Sequence, residues 1–192
     1  MKLLHLDSSI LGDSSVSRVM SEAVVEQLRR TSGPLEITYR DLASDPLPHV
    51  TLPRLATGDA GVVLDQFLSA DIIVIGAPMY NFGIPTQLKA WFDHVLISGK
   101  TFRYGENGPE GLASQKKVIV ALSRGNIYSG DSPAAASEHA EHHIRTLLGF
   151  IGIADPIFVI AEGVAFGPEE REAAMAKAMG QISELRPLPL AA

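Results

Sequence analysis

The chain of 192 residues contains no cysteine. Disulfides, thiolate metal sites and thiol redox chemistry are therefore excluded, and a reducing cytoplasm is a compatible setting. No apolar run approaches the roughly 20 residues of a membrane-spanning helix. The apolar stretch at the amino terminus is interrupted at once by Lys2 and His5, unlike that of a signal peptide. We therefore expect a soluble, cytoplasmic protein without a membrane partner.

Positive charge and aromatic side chains are also scarce. The chain has 16 Lys and Arg against 22 Asp and Glu, which gives a formal net charge of −6 at pH 7. Nucleic acids and anionic membranes bind to basic surfaces, so we expect neither as a partner. Aromatic residues make up only 6% of the chain, but 46% of all residues are hydrophobic. This composition predicts one α/β domain with a substantial core, spanning residues 1–192.

Apolar runs of strand length alternate with helical patterns along the chain. Such alternation predicts right-handed βαβ units and a parallel sheet with helices on both faces. Five strands fit a doubly wound, flavodoxin-like sheet with the strand order 2-1-3-4-5. The predicted strands are Leu3–Leu6, Glu36–Arg40, Ile72–Gly76, Val118–Ser123 and Ile157–Ala161. The predicted helices are Ser17–Arg30, Ala60–Leu68, Pro85–Ile97, Pro133–Leu148 and Pro168–Leu185.

Two long connections, Ala43–Gly58 and Thr101–Gln115, are rich in proline, glycine and polar residues. Loops of this length in a compact domain are often functional. The end of the chain, Pro187–Ala192, is expected to be loosely held.

The most informative stretch is Ala77–Pro85, which follows a continuous apolar run and precedes a helical pattern. Open α/β sheets bind ligands at the carboxyl ends of their strands, where this loop is predicted to lie. Met79 and Tyr80 are suited to pack against a flat ring, and Asn81 and the backbone amides to hydrogen-bond its polar edge. The loop indicates a large heteroaromatic cofactor. The alternative is a turn whose aromatic residues only cap the core.

A serine-rich loop, Asp7–Arg18, links the first predicted strand to the first long helix. Serine hydroxyls and the free amides of a helix amino terminus form an anion site, helped by the helix dipole. Ser15 and Ser17 are the best candidate donors, with Ser9 at the end of the strand. Serine is also a favoured N-cap residue, so helix capping alone is the alternative. Arg18 either adds charge to this site or faces solvent.

A third loop at a strand end carries Ser123–Tyr128. Gly125 in this loop allows backbone amides to approach a ring edge that a Cβ would keep away. Three loops that follow the first, third and fourth strands are expected to converge on one crevice. Their convergence makes a ligand site a stronger interpretation than any one loop does.

Other motifs are less informative. No Gly-x-Gly-x-x-Gly follows the first strand, and Gly99-Lys100-Thr101 has His94 where a P-loop has its first glycine. We therefore expect neither a dinucleotide turn nor an NTPase site. His139, His142 and His143 lie at helical spacing, and a solvated helix face explains them better than a zinc site. We expect no bound metal.

Nine short segments, spread over most of the chain, occur in the same order as in a known protein family. The segments are Ser8–Leu11, Arg40–Leu42, Ala77–Phe82, Thr86–Lys89, Thr101–Tyr104, Glu106–Leu112, Ser123–Gly125, Gly149–Ile153 and Ala161–Gly163. With them the chain resembles the FMN-dependent NADH:quinone oxidoreductases, also called FMN-dependent azoreductases, which have a flavodoxin-like fold. So many ordered matches are far more specific than a single motif.

The resemblance implies FMN as the cofactor and assigns its contacts. The 5′-phosphate would be held by Ser9, Ser15, the backbone of Val16 and Ser17. The isoalloxazine ring would be lined by Pro78, Met79, Tyr80, Asn81 and Phe82, and its pyrimidine side by Ser123, Arg124, Gly125, Asn126 and Tyr128. Many relatives have a glycine in place of Asn126, and a close relative has a histidine in place of Tyr128. A phenol donates the same hydrogen bond but does not become cationic near neutral pH.

The resemblance also implies a two-step, ping-pong reaction. NADH or NADPH would pass a hydride to the flavin and leave, and a quinone or aromatic azo compound would then receive two electrons. The cofactor supplies this chemistry, so we expect no catalytic side chain. Phe102, Tyr104 and Phe150 would bind the substrate, with core packing as the alternative for Phe150. Relatives are homodimers with active sites at the subunit interface, which implies a homodimer here.

Two other functions are compatible with the same fold. A flavodoxin-like electron carrier would bind FMN but exchange single electrons with protein partners. The long connection Thr101–Gln115 and the aromatic residues favour a covered small-molecule site instead. A flavin-free interaction domain would keep the fold without the cofactor, because a fold alone does not fix a function.

Overall fold

Five parallel strands form the central sheet of the computed structural model, which describes residues 1–53 and 61–186. These strands are β1 (Lys2–Asp7), β2 (Glu36–Asp41), β3 (Ile72–Pro78), β6 (Lys117–Arg124) and β7 (Ile157–Glu162). A separate antiparallel hairpin consists of β4 (Phe102–Gly105) and β5 (Gly108–Gly111). The α-helices of the described residues are α1 (Val16–Thr31), α2 (Gly61–Ser69), α3 (Thr86–Val95), α4 (Ala140–Phe150) and α5 (Pro168–Ser183).

The strand order of the sheet is β2-β1-β3-β6-β7, and every neighbouring pair is parallel. Counted without the hairpin, this is the predicted flavodoxin-like order 2-1-3-4-5, which is confirmed. All seven residues of the central strand β3 are buried. A parallel strand covered by helices on both faces requires such a continuous apolar run.

Helices cover both faces of the sheet and define two hydrophobic cores. Alternate residues of a strand point to opposite faces, so Leu3 of β1 lies in one core and Leu4 in the other. The first core contains side chains of α1 and α5, such as Met20 and Ile182. The second core contains side chains of α2, α3 and α4, with Trp91 among its largest fully buried members.

Each strand of the sheet extends a residue or two beyond its predicted carboxyl end. The final residues are Asp7, Asp41, Pro78, Arg124 and Glu162. Four of these side chains carry a charge, and the fifth is proline, so none continues the apolar pattern that marks a strand in sequence. The sheet therefore holds polar groups in fixed positions along its carboxyl edge.

The helix predicted at Pro133–Leu148 begins later than expected, at Ala140. A short 3₁₀ turn, Ala135–Ser137, precedes it. The carboxylate of Glu138 accepts hydrogen bonds from the backbone amides of Ala140 (3.0 Å) and Glu141 (2.9 Å). This cap satisfies the first free amides and fixes where α4 begins.

The connection Thr101–Gln115 is not a simple loop, because it contains the hairpin β4–β5. Its base is attached to the turn after α4, where the amide of Ala113 donates to the carbonyl of Ile151 over 2.9 Å. Part of the predicted connection Ala43–Gly58, the first residue of the predicted helix Ala60–Leu68 and the tail Pro187–Ala192 lie outside the described residues. Within residues 1–53 and 61–186, no helix has the length and apolar character needed to cross a membrane.

Candidate functional site

Three loops meet at the carboxyl edge of the sheet because β1, β3 and β6 are adjacent strands. The amide of Ser8, after β1, donates to the carbonyl of Gly76 on β3 (3.2 Å). The amide of Met79, after β3, donates to the carbonyl of Ser123 on β6 (2.8 Å). The predicted convergence of the three loops on one place is thus present in the structure.

The serine loop after β1 contains three buried serines, two of them at the start of α1. Ser15 is the N-cap, and its side chain accepts a hydrogen bond from the amide of Arg18 (3.3 Å). The hydroxyls of Ser15 and Ser17 lie 3.1 Å apart. Ser9, Ser15 and Ser17 are all buried. Helix capping explains Ser15 but not the whole serine loop. Ser9 and Ser17 add buried hydroxyls that a cap does not need.

Arg18 is engaged with the protein and does not extend into solvent. Its Nη2 donates to the carbonyl of Ser9 (2.8 Å) and to Oδ1 of Asp41 (2.7 Å). Its pKa is raised, chiefly by the hydrogen bond to Asp41. Arg18 thus joins the serine loop to the end of the neighbouring strand β2, and its charge is paired within the protein.

The loop after β3 makes a tight turn at Asn81 and Phe82. The amides and carbonyls of Tyr80 and Gly83 exchange two hydrogen bonds, both of 3.0 Å. Asn81 and Phe82 have φ angles of 48° and 70°. These lie in the left-handed region that residues other than glycine and asparagine rarely adopt. The carbonyl of Phe82 also accepts from the amide of His139 (3.1 Å). The Phe82 side chain remains 53% exposed, so the turn presents a ring at the surface.

The side chain of Tyr80 connects this turn to the serine loop. Its hydroxyl lies 3.0 Å from Oγ of Ser9 and accepts a hydrogen bond from the amide of Ile10 (3.2 Å). Tyr80 was predicted to line a flat ring, and sequence gave no sign of this second contact. The two loops are therefore joined by a side chain as well as by the sheet.

The side chain of Arg124, in the third loop, is directed to carboxylates. Nη2 lies 2.7 Å from Glu141 and 3.2 Å from Glu138, and Nη1 donates to Glu162 over 2.8 Å. Arg124 is only 2% exposed. Its guanidinium is thus committed to three protein groups, which leaves the backbone of this loop to border a ligand.

Glu162 is the residue that shapes the rest of the third loop. Its carboxylate accepts from Arg124, from the amide of Tyr128 (2.9 Å) and from the hydroxyl of Ser129. Burial alone would raise its pKa, but the hydrogen bonds from Ser129 and Arg124 lower it below the ordinary value. The side chain of Asn126 accepts from the amide of Ile127 (2.7 Å), which gives it a local partner.

The three predicted substrate residues are close together. The rings of Phe102 and Phe150 lie 4.6 Å apart, and those of Phe102 and Tyr104 lie 5.6 Å apart. Phe102 is 9% exposed and Tyr104 is 72% exposed. A Cβ on Gly111 would overlap the backbone of Gly152, so the hairpin is packed directly on the turn after α4. Phe102 is therefore the packed base of this cluster, and Tyr104 is its accessible face.

Below the serine loop lies a buried polar network that sequence reasoning missed. Oδ1 of Asp7 accepts from the hydroxyl of Ser21 (2.8 Å), and Nε2 of His5 lies 2.9 Å from the same hydroxyl. Tyr39 donates to the other Asp7 oxygen over 3.2 Å. Burial raises the pKa of Asp7 to about 6 and lowers the pKa of His5 to about 4. The network borders a cavity of about 560 Å³ between α1 and β2.

The donor set at the loops fits a phosphate monoester joined to a flat, polar-edged ring. Three buried hydroxyls and the amino terminus of α1 are donors of the kind that an anion site without a lysine requires. The turn at Asn81 and Phe82, on the adjacent strand end, supplies backbone amides and a ring face. The loop after β6 supplies further backbone groups on the other side of the turn. These are the groups that FMN needs.

Comparisons with known proteins agree with this fit. A protein-family model described as a flavodoxin-like fold matches residues 1–185. The FMN-dependent NADH:quinone oxidoreductase 2 of Bradyrhizobium diazoefficiens is 50% identical over 200 aligned positions, covering 97% of this chain and 99% of that protein. The FMN-dependent NADH:quinone oxidoreductase 1 of Xanthomonas euvesicatoria is 52% identical over 190 positions, covering 96% of both chains. The solved FMN-dependent NADH-azoreductase of Bacillus anthracis, in complex with FMN, has a TM-score of 0.84 and 27% identity, covering 95% of this chain and 96% of its own.

Proposed function

Because this chain belongs to the family of FMN-dependent NADH:quinone oxidoreductases, which have a flavodoxin-like fold, we propose that it is an FMN-dependent reductase. It oxidises NADH or NADPH and reduces quinones and aromatic azo compounds. The observation that carries this proposal is the placement of two complementary loops on adjacent strand ends. Ser9, Ser15 and Ser17 offer a hydroxyl cradle beside the turn that presents Asn81 and Phe82.

Bound FMN supplies the two-electron chemistry, in a ping-pong order in which the nicotinamide leaves before the acceptor binds. The chain holds the phosphate at the serine loop through hydroxyls and through the free amides of α1. The amides of Met79 and Tyr80 are used within the protein, so the backbone amides of Asn81 and Phe82, with the backbone of Ser123–Asn126, border the polar edge of the ring. Fixed amide dipoles at that edge stabilise negative charge without reorganising during the reaction.

The aromatic cluster of Phe102, Tyr104 and Phe150 provides the wall for a flat substrate. Aromatic pairs prefer offset or edge-to-face packing. The rings of Phe102 and Tyr104 are edge-to-face, and those of Phe102 and Phe150 are tilted. Tyr104 is the member with a free face, and Phe102 supports it from below. Substrate binding in this place would exclude water from the reacting rings.

The protein acts as a homodimer in this proposal. Leu11 in the serine loop, Phe82 in the turn after β3 and Tyr104 on β4 are 56%, 53% and 72% exposed. Large apolar side chains grouped around a polar site are typical of surfaces that a partner covers. A second copy of the chain that covers them would complete the walls of the site.

The proposal is tested with the purified protein loaded with FMN. We expect rapid loss of NADH absorbance in the presence of a quinone, and loss of colour when an azo dye replaces the quinone. Stopped-flow reduction by NADH alone, followed by reoxidation with the acceptor, tests the ping-pong order. A preparation that stays colourless with added FMN, or one that binds FMN but does not oxidise NADH, would overturn the proposal.

A further inference from the structure

The side chain of Tyr80 is held at both of its ends. Its backbone exchanges two hydrogen bonds with Gly83 across the turn, and its hydroxyl contacts the serine loop at Ser9 and Ile10. A residue fixed in this way has little freedom to move independently of either loop. Its hydroxyl is therefore held at the serine loop, while its backbone is held in the turn.

The hydrogen bonds of Ser9 show what the Tyr80 hydroxyl does there. A serine hydroxyl has one hydrogen to donate and two lone pairs that accept. Oγ of Ser9 accepts from the amide of Leu11 (3.2 Å) and lies 3.0 Å from the Tyr80 hydroxyl. When Tyr80 donates its hydrogen to Ser9, both lone pairs of Ser9 are occupied. The hydrogen of Ser9 is then left to donate to a third group.

The Tyr80 hydroxyl is itself prepared for this role. Its oxygen accepts from the amide of Ile10 over 3.2 Å, while its hydrogen stays available for Ser9. Chains of hydrogen bonds polarise one another, so the Tyr80 hydroxyl, which accepts one bond, is a better donor to Ser9, and Ser9, which then accepts two, is a better donor to a third group. An anion next to Ser9 favours this orientation, because it needs a hydrogen and repels a lone pair.

We propose that Tyr80 is a positioning residue that orients the Ser9 hydroxyl as a donor to the 5′-phosphate, and so contributes to selectivity for FMN over riboflavin. This inference rests on the proposed binding of FMN. It assigns to the phenol oxygen an effect at the phosphate, whereas the ring of Tyr80 serves the isoalloxazine. Riboflavin lacks the phosphate and gains nothing from the oriented hydroxyl.

The test compares two flavins and two proteins. FMN and riboflavin are titrated into the apo forms of the wild type and of Tyr80→Phe, which keeps the ring and removes only the oxygen. We expect the ratio of FMN to riboflavin affinity to fall about five- to tenfold in the variant, or about 1–1.4 kcal/mol. Riboflavin affinity itself should change little.

Ser69→Ala is the control, because it also removes one hydroxyl and lies on α2, outside the three loops of the site. That hydroxyl is exposed and donates to the carbonyl of Gln66 in its own helix (3.2 Å). The affinity ratio of this variant should equal that of the wild type. A wild type that binds FMN tightly, together with an unchanged ratio in Tyr80→Phe, would overturn the role of Tyr80 alone. A wild type that binds neither flavin would overturn the proposed function as well.

A double-mutant cycle separates the effect through Ser9 from general damage to the loop. In a Ser9→Ala background the hydroxyl that Tyr80 orients is gone, so Tyr80→Phe should change the affinity ratio by less than half of its effect in the wild type. Equal effects in both backgrounds would show that Tyr80 acts independently of Ser9, which contradicts the inference.

Discussion

Nη1 of Arg124 donates to Oε1 of Glu162 over 2.8 Å, and the two residues are register partners at the ends of β6 and β7. The same guanidinium reaches Glu138 and Glu141 at the start of α4. One buried cation thus holds three elements together around the third loop. Arg124 has its structural partners 17 and 38 residues along the chain, at Glu141 and Glu162.

The first prediction concerns removal of this cation. Arg124→Met leaves Glu138 and Glu162 without their counter-charge, whereas Glu141 keeps its ion pair with Arg145 (2.7 Å). Removing one partner of a buried ion pair costs about 3–5 kcal/mol. We expect a loss of this order in the free energy of unfolding, measured by urea denaturation. Arg124→Lys should restore only part of it, because one ammonium does not reach carboxylates on separate elements in the same geometry.

Arg103→Met is the matched control for Arg124, since it removes the guanidinium that pairs with Glu110 at 2.7 Å. Both side chains of that pair are more than half exposed, at 61% and 53%. Exposed ion pairs contribute little to stability, so this variant should unfold at nearly the wild-type urea concentration. Equal losses in Arg103→Met and Arg124→Met would contradict the structural role of Arg124.

The second prediction concerns the φ angle of 70° at Phe82. A strained backbone angle of this kind costs about 1–3 kcal/mol, and the exposed ring of Phe82 returns little through burial. Phe82→Gly should therefore raise the stability of the apo protein by about 1 kcal/mol, the low end of that range, because glycine also makes the unfolded chain more flexible. The affinity for FMN should fall at the same time, since the ring is lost.

Asn81→Gly serves as the comparison for Phe82, because Asn81 has a similar φ of 48°. Asparagine tolerates the left-handed region better than phenylalanine does, so less strain is released. Urea denaturation of both apo variants should show the larger gain for Phe82→Gly. A stability loss in Phe82→Gly would mean that the ring stabilises the turn more than its backbone strain costs.

The fold was predictable because its strands are continuous apolar runs that need no partner information to be recognised. The ends of the strands were less predictable: Asp7, Pro78 and Arg124 interrupt the apolar pattern, yet pairing with the neighbouring strand keeps them in the sheet. The start of α4 was misplaced because Pro133 and the alanines after it have the composition of a helix start. The cap depends on the carboxylate of Glu138 accepting from the amides of Ala140 and Glu141, which follow it in the chain. Composition does not reveal this contact.

The candidate site was likewise predictable where local sequence pattern determines it and not where long-range contacts do. The serine loop, the turn at Asn81 and the third loop each follow a buried strand, so local pattern and sheet topology together predict that they converge. The interactions between them depend on long-range contacts, such as that of Tyr80 with Ser9, 71 residues apart. Of the buried pair, His5 lies within the predicted strand Leu3–Leu6 and Asp7 directly after it, and nothing in the sequence indicates their network with Ser21.

The third prediction tests the close packing of β1 against β3 below the serine loop. A Cβ on Gly76 would overlap Oδ1 of Asp7 and would lie 3.1 Å from Oγ of Ser21. Overpacking of a buried site costs about 1–3 kcal/mol, so Gly76→Ala should lower the free energy of unfolding by that amount. Gly180→Ala is the control with the opposite sign: nothing lies within 4 Å of its Cβ, and alanine in a helix gains about 0.5–1 kcal/mol. Thermal unfolding of the two variants distinguishes them directly.

The fourth prediction concerns acid, where His5 and Asp7 act in opposite directions. The pKa of His5 falls from 6.5 to about 4 on folding, so its contribution to stability is present above pH 6.5 and is lost as the pH falls toward 4. The pKa of Asp7 rises from 3.8 to about 6, so its contribution is greatest below 3.8 and is lost as the pH rises through 6. The two effects partly cancel in the wild type, each being on the order of 1–3 kcal/mol.

Variants of the two residues separate these effects. Relative to the wild type, Asp7→Asn should lose stability on acidification from pH 6.5 to 4, because only the unfolded His5 takes up a proton there. His5→Gln keeps a donor for Ser21 and should gain stability relative to the wild type over the same range. Urea denaturation at several pH values measures both differences, and contributions of other groups cancel in the comparison. Parallel curves for all three proteins would contradict the shifted pKa values of the pair.

The fifth prediction separates substrate binding from folding in the aromatic cluster. Tyr104 is 72% exposed, so Tyr104→Ala should leave the unfolding transition and FMN affinity unchanged. It removes a stacking face worth about 0.5–1.5 kcal/mol, which corresponds to a rise of about two- to twelvefold in KM for a flat aromatic acceptor. Tyr104→Phe keeps the face and should retain the wild-type KM.

Phe102→Ala should instead destabilise the protein, because its ring is packed between Tyr104 and Phe150. Steady-state kinetics with a quinone, read beside thermal unfolding, tests this division, and an unchanged KM in Tyr104→Ala would remove Tyr104 from the substrate site.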